Sequence, residues 1–511
     1  MAQDPSAAKP NLRLTIWFEA LSLSLAALFV VAFVVIAWKR LFFRFEISWS
    51  ESALYSMMLR RIHGQPMYAA PSVFDGSCCL YPPFYVDLSA WVARALHLDM
   101  SRVSFLPLRL VSILSCLGIF GATIWILRRR KKLSWPATLT SSAVFIATYG
   151  RMELWHDNAR VDSLLVFLLF ISSALLLEGR RVWSAAIGGV VGGLAVLTKQ
   201  PALLLLGLVG VETLFIRRQW LRGVTFAVCV AACVLGYLAA TGDLWNPLFY
   251  FWIFKVPGSH PLLWKKFVLG PAFFALVIPV VTTLALIPFI GWIRSGRQTN
   301  PDDGPAPWSW SLVFSLWMLV LLLLRAKQGA SLNFFMPLIP MGAIAAAEGL
   351  SWIQKRGFDV RRISSLALTA QLIMLAYDPT LFVPTEQARK EAENLVDDLK
   401  TIDGPVWFPA FPSYAAMAGK PWVTHYGTLT DLSTTNPGYI AGALSILVRE
   451  RALGALIVHP GDPNLNRDEL NQYYQEQSLP EIRSPFLKRV HDVHFDGHIF
   501  TRRQDSEAHG D

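Results

Sequence analysis

Long apolar runs separated by short polar breaks dominate the chain from residue 16 to residue 382. A hydrocarbon core of ~30 Å takes about 20 apolar residues as helix, with shorter spans beside broken or re-entrant segments. On that measure the runs predict about eleven membrane spans, at 16–38, 106–127, 135–150, 161–178, 183–198, 201–216, 223–241, 267–293, 308–325, 333–353 and 363–382. The fifth and sixth are short and meet at "LTKQPALL", where Pro201 breaks the run. No sequence repeat of fixed period is present.

The first loop has a different period. Ala53, Leu54, Met57, Met58 and Ile62 recur at helical spacing with Arg60 and Arg61 opposite, and Gly64 and Pro66 end the pattern. "YPPFYVDLSAWVARALHL" predicts a second helix from Pro83, with Trp91 at its middle. Amphipathic and aromatic, both suit the headgroup level, as does "NPLFYFWIFKVPGSHPLLWKKF" at 246–267. From about Pro384 the pattern is that of a soluble protein. "TEQARKEAENLVDDLK" reads as a polar helix, "GPVWFPA", "KPWVTHYG" and "LGALIVHP" as short buried strands, and "GYIAGALSILVRERA" as a helix between the last two. The predicted organisation is a membrane domain at 1–383, its first outer loop at 39–105, and a small α/β domain at 384–511.

Composition agrees. Of the 511 residues 54% are hydrophobic and 16% charged, against about a quarter charged in soluble domains. Such a chain, with 19 Trp and 32 Phe, needs lipid against much of its surface. "MAQDPSAAKPNLR" leads into an apolar stretch that is long enough to span and lacks a small-residue cleavage site, which predicts no cleavable signal. The formal net charge of +10 suits anionic lipid or phosphate, and embedding in a bilayer argues against nucleic acid. The five cysteines suggest no disulfide framework: Cys116, Cys229 and Cys233 lie in apolar runs and Cys78-Cys79 in a loop. His491, His494 and His498 lack a metal-ligand spacing, and with His425 and His459 they read as solvated.

"RRRKK" at 128–132, "EGRR" at 178–181, "RRQWLR" at 217–222, "RSGR" at 294–297 and "KRGFDVRR" at 355–362 fall on every second loop. Basic short loops mark the cytoplasmic side, so the N-terminus is predicted there and the C-terminal domain outside, in a bacterial-type inner or plasma membrane. Lys39, Arg40 and Arg44 break the rule locally. Glu51, Asp157, Asp162, Lys199, Asp243, Lys327 and Asn333 then share the outer side. Ionisable groups near bilayer depth often mark function, so their gathering predicts an extracytoplasmic site.

Each has two readings. Ser48-Trp49-Ser50-Glu51 matches a capping box, Ser48 at N-cap and Glu51 reaching back to its amide; Glu51 could equally take a proton from an acceptor hydroxyl. Asp157 or Asn158 could cap the next span, while Arg160 and Asp162 are either a structural pair or a grip on phosphate or sugar. Lys199 could snorkel, or meet a ligand where the helix is broken. Arg325 and Lys327 precede a Gly-Ala-Ser turn and Asn333, and two cations there suit an anionic headgroup. No Walker loop, HExxH, GxSxG, dinucleotide fingerprint or CxxC pair is present, which gives soluble-cofactor chemistry no support.

A first outer loop with a carboxylate and interfacial helices, then "YPPFY", "ARVDSL" opening a span, "LTKQPALL" at a helix break and "GASLNFF" starting a late span together resemble the GT-C glycosyltransferases. The nearest branch is that of dolichyl-phosphate-mannose–protein mannosyltransferases and bacterial lipid A aminoarabinose transferases, and the likeness covers roughly residues 17–382. The resemblance implies an α-helical polytopic membrane protein that transfers a hexosyl or pentosyl sugar from a polyprenyl-phosphate donor to a glycan, lipid or protein hydroxyl by inverting displacement. An acidic residue of the first outer loop is then the base, commonly in an Asp-Glu pair. Ser50-Glu51 stands there, so the usual Asp is missing; Glu51 is the nearest candidate, and Asp157 or Asp162 could substitute. Arg160, Lys199, Arg325, Lys327 and Asn333 are the expected donor-phosphate residues. A divalent metal could assist, as in some relatives, although no DxD motif is present here to support one; no other cofactor is expected. A lipid-linked saccharide transporter or flippase is the competing class, and a scaffold the third.

Overall fold

The computed structural model describes residues 12–48, 50–76, 80–100, 102–295, 308–458, 465–477 and 498–502. The expectations for Trp49, Cys78, Cys79, His459, His491 and His494 lie outside the described residues.

Backbone groups in hydrocarbon must be satisfied within their own segment, so the apolar runs are helices. In chain order these are α1 (Leu12–Leu41), the loop helices α2 (Glu51–Ile62) and α3 (Phe84–Ala95), then α4 (Leu106–Arg129), α5 (Trp135–Ala147) and α6 (Asp162–Leu177). Next come α7 (Val182–Val196), α8 (Ala202–Val211) and α9 (Trp220–Thr241), the one-turn pieces α10 (Pro247–Tyr250) and α11 (Val256–Ser259), and α12 (Trp264–Leu276). The helical bundle closes with α13 (Pro279–Ser295), α14 (Ser309–Arg325), α15 (Leu338–Gln354) and α16 (Val360–Met374). Arg13–Leu41, Leu106–Arg129, Trp220–Thr241 and Leu332–Gln354 are each long and apolar enough to cross a membrane; α6, α7, Ala202–Ile216 and α14 are shorter apolar helices. The protein is an integral membrane protein.

Two predicted spans are corrected. The eighth, 267–293, is a pair of helices meeting at 92°, with Pro279 opening the second. The eleventh ends early: α16 stops at Met374 and the chain reaches 382 as an irregular segment and a short 3-10 turn.

Glycines let α7 wedge between two neighbours. A Cβ at Gly188 or Gly192 would lie 3.2 Å from Ser172 O or 2.8 Å from Ser172 Oγ on α6; one at Gly189 or Gly193 would lie 2.6 Å from Phe226 O or 2.5 Å from Cys233 Cβ on α9. Small residues at this spacing allow close backbone approach. Gly193→Leu is expected to destabilise the protein by about 1–3 kcal/mol, seen as a lower midpoint of thermal unfolding in detergent, while Gly236→Leu on the open face of α9 leaves it unchanged; nothing lies within 4 Å of a Cβ at Gly236.

After residue 384 the chain forms α17 (Glu386–Thr401), α18 (Pro412–Met417), α19 (Tyr426–Thr435), α20 (Tyr439–Arg449) and α21 (Arg467–Tyr473) with a four-stranded sheet. The strands are β1 (Val406–Trp407), β2 (Ala455–Val458), β3 (Tyr474–Gln477) and β4 (His498–Arg502), in the order β1-β2-β4-β3. β1 and β2 run parallel, and β4 is antiparallel to both β2 and β3. "KPWVTHYG" is not a strand of this sheet. Its backbone bonds instead to the first loop, through a Phe74–Val423 bridge and Thr424 N donating to Val73 O at 3.0 Å. Phe45 from the other end of that loop joins the core under the sheet and stacks on Tyr414 at 5.5 Å. These two contacts seat the C-terminal region on the first loop.

Candidate functional site

Arg109 lies in the first turns of α4, in an otherwise apolar helix, and is fully buried. A guanidinium in such a place must spend its donors on protein acceptors. It donates from Nε and Nη2 to Glu51 Oε1 and Oε2, at 3.0 and 2.6 Å, and to the carbonyls of Arg40 (2.9 Å), Phe45 (2.7 Å) and Phe43. Glu51 also accepts from the backbone amides of Ile47 at 2.8 Å and Ala159 at 2.9 Å. Burial works to raise the Glu51 carboxyl; the Arg109 charge and hydrogen bonds, with the two amides, outweigh it and hold the group below the usual range.

The capping-box expectation is thereby corrected. Ser50, not Ser48, stands at the N-cap of α2, without a side-chain cap bond, and Glu51 is the first helical residue. Its carboxylate reaches back to Ile47 because Arg109 draws it toward the 43–47 turn.

A second buried knot adjoins the first. Arg40 Nε lies 2.9 Å from Asp157 Oδ2, and its Nη2 donates to Asn158 Oδ1 at 2.5 Å. Tyr149 OH is 3.1 Å from each Asp157 oxygen. Neither Asp157 nor Asn158 caps α6, whose N-cap is Val161. Between them the two knots pin Asp157, Asn158 and Ala159, and so fix where the next residue points.

That residue is Arg160. Its Nη2 donates to Tyr81 OH at 2.9 Å, its Nη1 bonds Ser50 Oγ, and the guanidinium lies 4.5 Å from the Trp155 ring centroid. Asp162, at the start of α6, joins two distant elements: it accepts from Lys199 Nζ at 2.7 Å and from Asn333 Nδ2 at 2.9 Å. Lys199 sits at the α7–α8 break, its ammonium 5.5 Å from the Tyr81 ring and 4.6 Å from that of Phe334. Lys327 Nζ donates to Pro257 O at 2.9 Å and Lys266 Nζ to Ala330 O at 2.8 Å, tying α11 and the start of α12 to the loop after α14.

These groups surround a cavity of about 720 Å³. Arg160, Lys199, Lys266, Lys327 and Asn333 line it together with an apolar wall that includes Leu80, Leu204, Ile253 and Leu324. Such a chamber fits an anionic group carried on an apolar chain. Of the sequence-predicted residues, Arg160, Lys199, Lys327 and Asn333 meet here. Arg325 is outside the lining, though its charge acts on Lys266. Glu51, Asp157 and Asp162 lie behind the wall, with side chains 0%, 0% and 1% exposed. The expectation of an accessible carboxylate is therefore not met at any of the three. Asp243 is elsewhere, sharing Arg61 with Asp87 at 2.5 and 2.9 Å.

Among the described residues, the carboxylates that do line the cavity are Glu153 and Asp431. Glu153 and Leu154 both take left-handed backbone angles, φ 48° and 59°, rare for side chains of their size. Trp155 Nε1 donates to Glu153 at 3.0 Å, and Ser331 Oγ also bonds it. Asp431, on α19, reaches the cavity from the C-terminal region beside His260. Sequence reasoning missed Arg40, Arg109, Tyr81, Glu153, Lys266, His260 and Asp431. For Arg109 a signal existed: an arginine one turn inside an apolar helix.

No protein-family model matches the chain, and no curated protein matches it. Solved structures do. ArnT from Cupriavidus metallidurans bound to undecaprenyl phosphate aligns with a TM-score of 0.57 at 14% identity, over 94% of this chain and 98% of that one. Its apo state gives 0.56 at 14%, over 93% and 97%. The apo oligosaccharyltransferase of Archaeoglobus fulgidus gives 0.51 at 10%, over 87% of this chain and 69% of that one. The chain has the GT-C fold.

Proposed function

We propose that this GT-C-fold protein is a membrane glycosyltransferase, moving a sugar from a polyprenyl-phosphate donor to an acceptor hydroxyl by inverting displacement. The convergence of Arg160, Lys199 and Lys327 on one cavity with an apolar wall carries the reading. Breaking the C1–O bond of the donor puts negative charge on the lipid phosphate, and preorganised cations stabilise that charge as it forms. The fold relative ArnT, seen with undecaprenyl phosphate, supports such a donor. The alternation of basic loops supports an extracytoplasmic cavity, with residues 384–511 as the domain that lends α19 to it.

In this reading Glu51 and Asp162 are positioning residues. Glu51 holds Ala159, and with it Arg160; Asp162 sets Lys199 and Asn333 at the right height. Purified protein with radiolabelled undecaprenyl-phosphate sugars and a membrane extract as acceptor tests the proposal. Arg160→Ala is expected to lower transfer by about 10²–10³-fold while unfolding at a temperature close to that of the parent, because Arg160 faces the cavity. Movement of labelled donor across proteoliposomes without any glycosyl transfer would overturn the reading in favour of a lipid-linked saccharide transporter.

A further inference from the structure

An inverting transfer needs a group to take the acceptor's proton, and among the described residues of the first loop no carboxylate lines the cavity. Ser50 stands where a carboxylate would face the cavity, and it is bonded to Arg160. Glu51 has both oxygens engaged by Arg109 and by two backbone amides. Glu153 lines the cavity but accepts from Trp155 and Ser331, with the charges of Lys266 and Arg325 acting on it.

Asp431 reaches the cavity from another element. Its side chain is 23% exposed and lines the same cavity. Its Oδ1 is 3.1 Å from Nε2 of His260, a ring only 8% exposed and therefore fixed in place. The carrier loop is anchored as well: Ser259 Oγ lies 3.0 Å from Thr435 Oγ1 on α19, and Gln328 N donates to Pro261 O at 3.0 Å. The geometry points to Asp431 as the general base, oriented by His260, so that the C-terminal region supplies the group the first loop lacks. This rests on the glycosyltransferase reading. In the step, the acceptor O–H proton passes to the Asp431 carboxylate, the acceptor oxygen bonds the anomeric carbon, and the C1–O bond breaks to release polyprenyl phosphate.

Burial raises the Asp431 carboxyl above its ordinary range, against the opposing influence of His260 and Arg160, and a raised carboxyl is the stronger base. The charged and titratable groups around it are His260 and Arg160, His425 at the N-cap of its own helix, and Lys327 across the cavity.

The test uses the full chain in detergent, tritiated undecaprenyl phosphate for binding, and a panel of undecaprenyl-phosphate hexoses, pentoses and aminosugars for turnover. Asp431→Asn is expected to bind undecaprenyl phosphate within about twofold of the parent and to lose about 10²–10⁴-fold in release of lipid phosphate. Asp431→Glu recovers part of that loss. His260→Gln, by removing a neighbour that holds the Asp431 carboxyl down, moves the acid limb of the kcat/KM profile to higher pH, which a purely structural role would not do. An Asp431→Asn variant turning over within threefold of the parent overturns the assignment. A parent that binds no undecaprenyl phosphate, or binds it and releases none from any donor, overturns the glycosyltransferase reading and this proposal with it.

Discussion

Arg109→Met is expected to destabilise the protein by about 3–5 kcal/mol, well beyond what the loss of one hydrogen bond would do. The side chain is fully buried, and its removal strands the Glu51 carboxylate in the interior together with the carbonyls of Arg40, Phe43 and Phe45. An uncompensated buried charge outweighs the packing regained from the methionine. Glu51→Gln is the sharper companion. If Glu51 were the base, the amide would abolish transfer and leave folding intact. In the structure its carboxylate is a brace, so the amide is expected to lower the thermal midpoint while retaining measurable transfer below it. The double variant Arg109→Met/Glu51→Gln is expected to be more stable than the sum of its parts, with a coupling of about 0.5–3 kcal/mol. Thermal unfolding in detergent, paired with donor turnover at a temperature where every variant is folded, checks all three outcomes. An Arg109→Met protein as stable as the parent would remove Glu51 from its bracing role.

The helices were legible because their signal is local: twenty apolar residues need no partner to declare themselves. The bend between α12 and α13 was not, since a span interrupted by Pro279 and one that tolerates it read alike. Arg40 shows why one of the three basic residues that broke the charge rule did so. It is fully buried against Asp157 and Asn158, so it contacts no headgroups and carries no topological signal. For the cavity, the sequence marked Arg160, Lys199, Lys327 and Asn333, each out of place beside a membrane edge. Asp162 was marked for the same reason, and its burial behind Lys199 depends on packing between α6 and the α7–α8 break. Asp431 carried no mark, because in a stretch of ordinary soluble composition one aspartate resembles another. Only the docking of α19 over the cavity distinguishes it.

Stability is expected to fall as pH rises from about 5 to above 8, and Glu46→Gln to flatten that fall. Glu46 is fully buried in the turn between α1 and α2, and burial pushes its carboxyl from an ordinary 4.5 up to about 8, with the neighbouring Ser413 and Ser52 hydroxyls partly opposing the rise. Because the folded value lies above the unfolded one, the folded state holds a proton that the unfolded state releases. The contribution is fully present below pH 4.5 and is lost progressively as pH climbs through 8. At about 1.4 kcal/mol per unit the ceiling of that loss is on the order of 5 kcal/mol. The effect is also placed. Phe45, one residue away, stacks on Tyr414, and Ser413 adjoins it, so ionised Glu46 weakens the seat of the C-terminal region on the first loop. Protease nicking after residue 384 should accordingly rise with pH in the parent and not in Glu46→Gln, in step with thermal midpoints measured from pH 5 to 9. A parent whose midpoint and nicking rate are flat across that interval would show that Glu46 is already ionised in the folded protein.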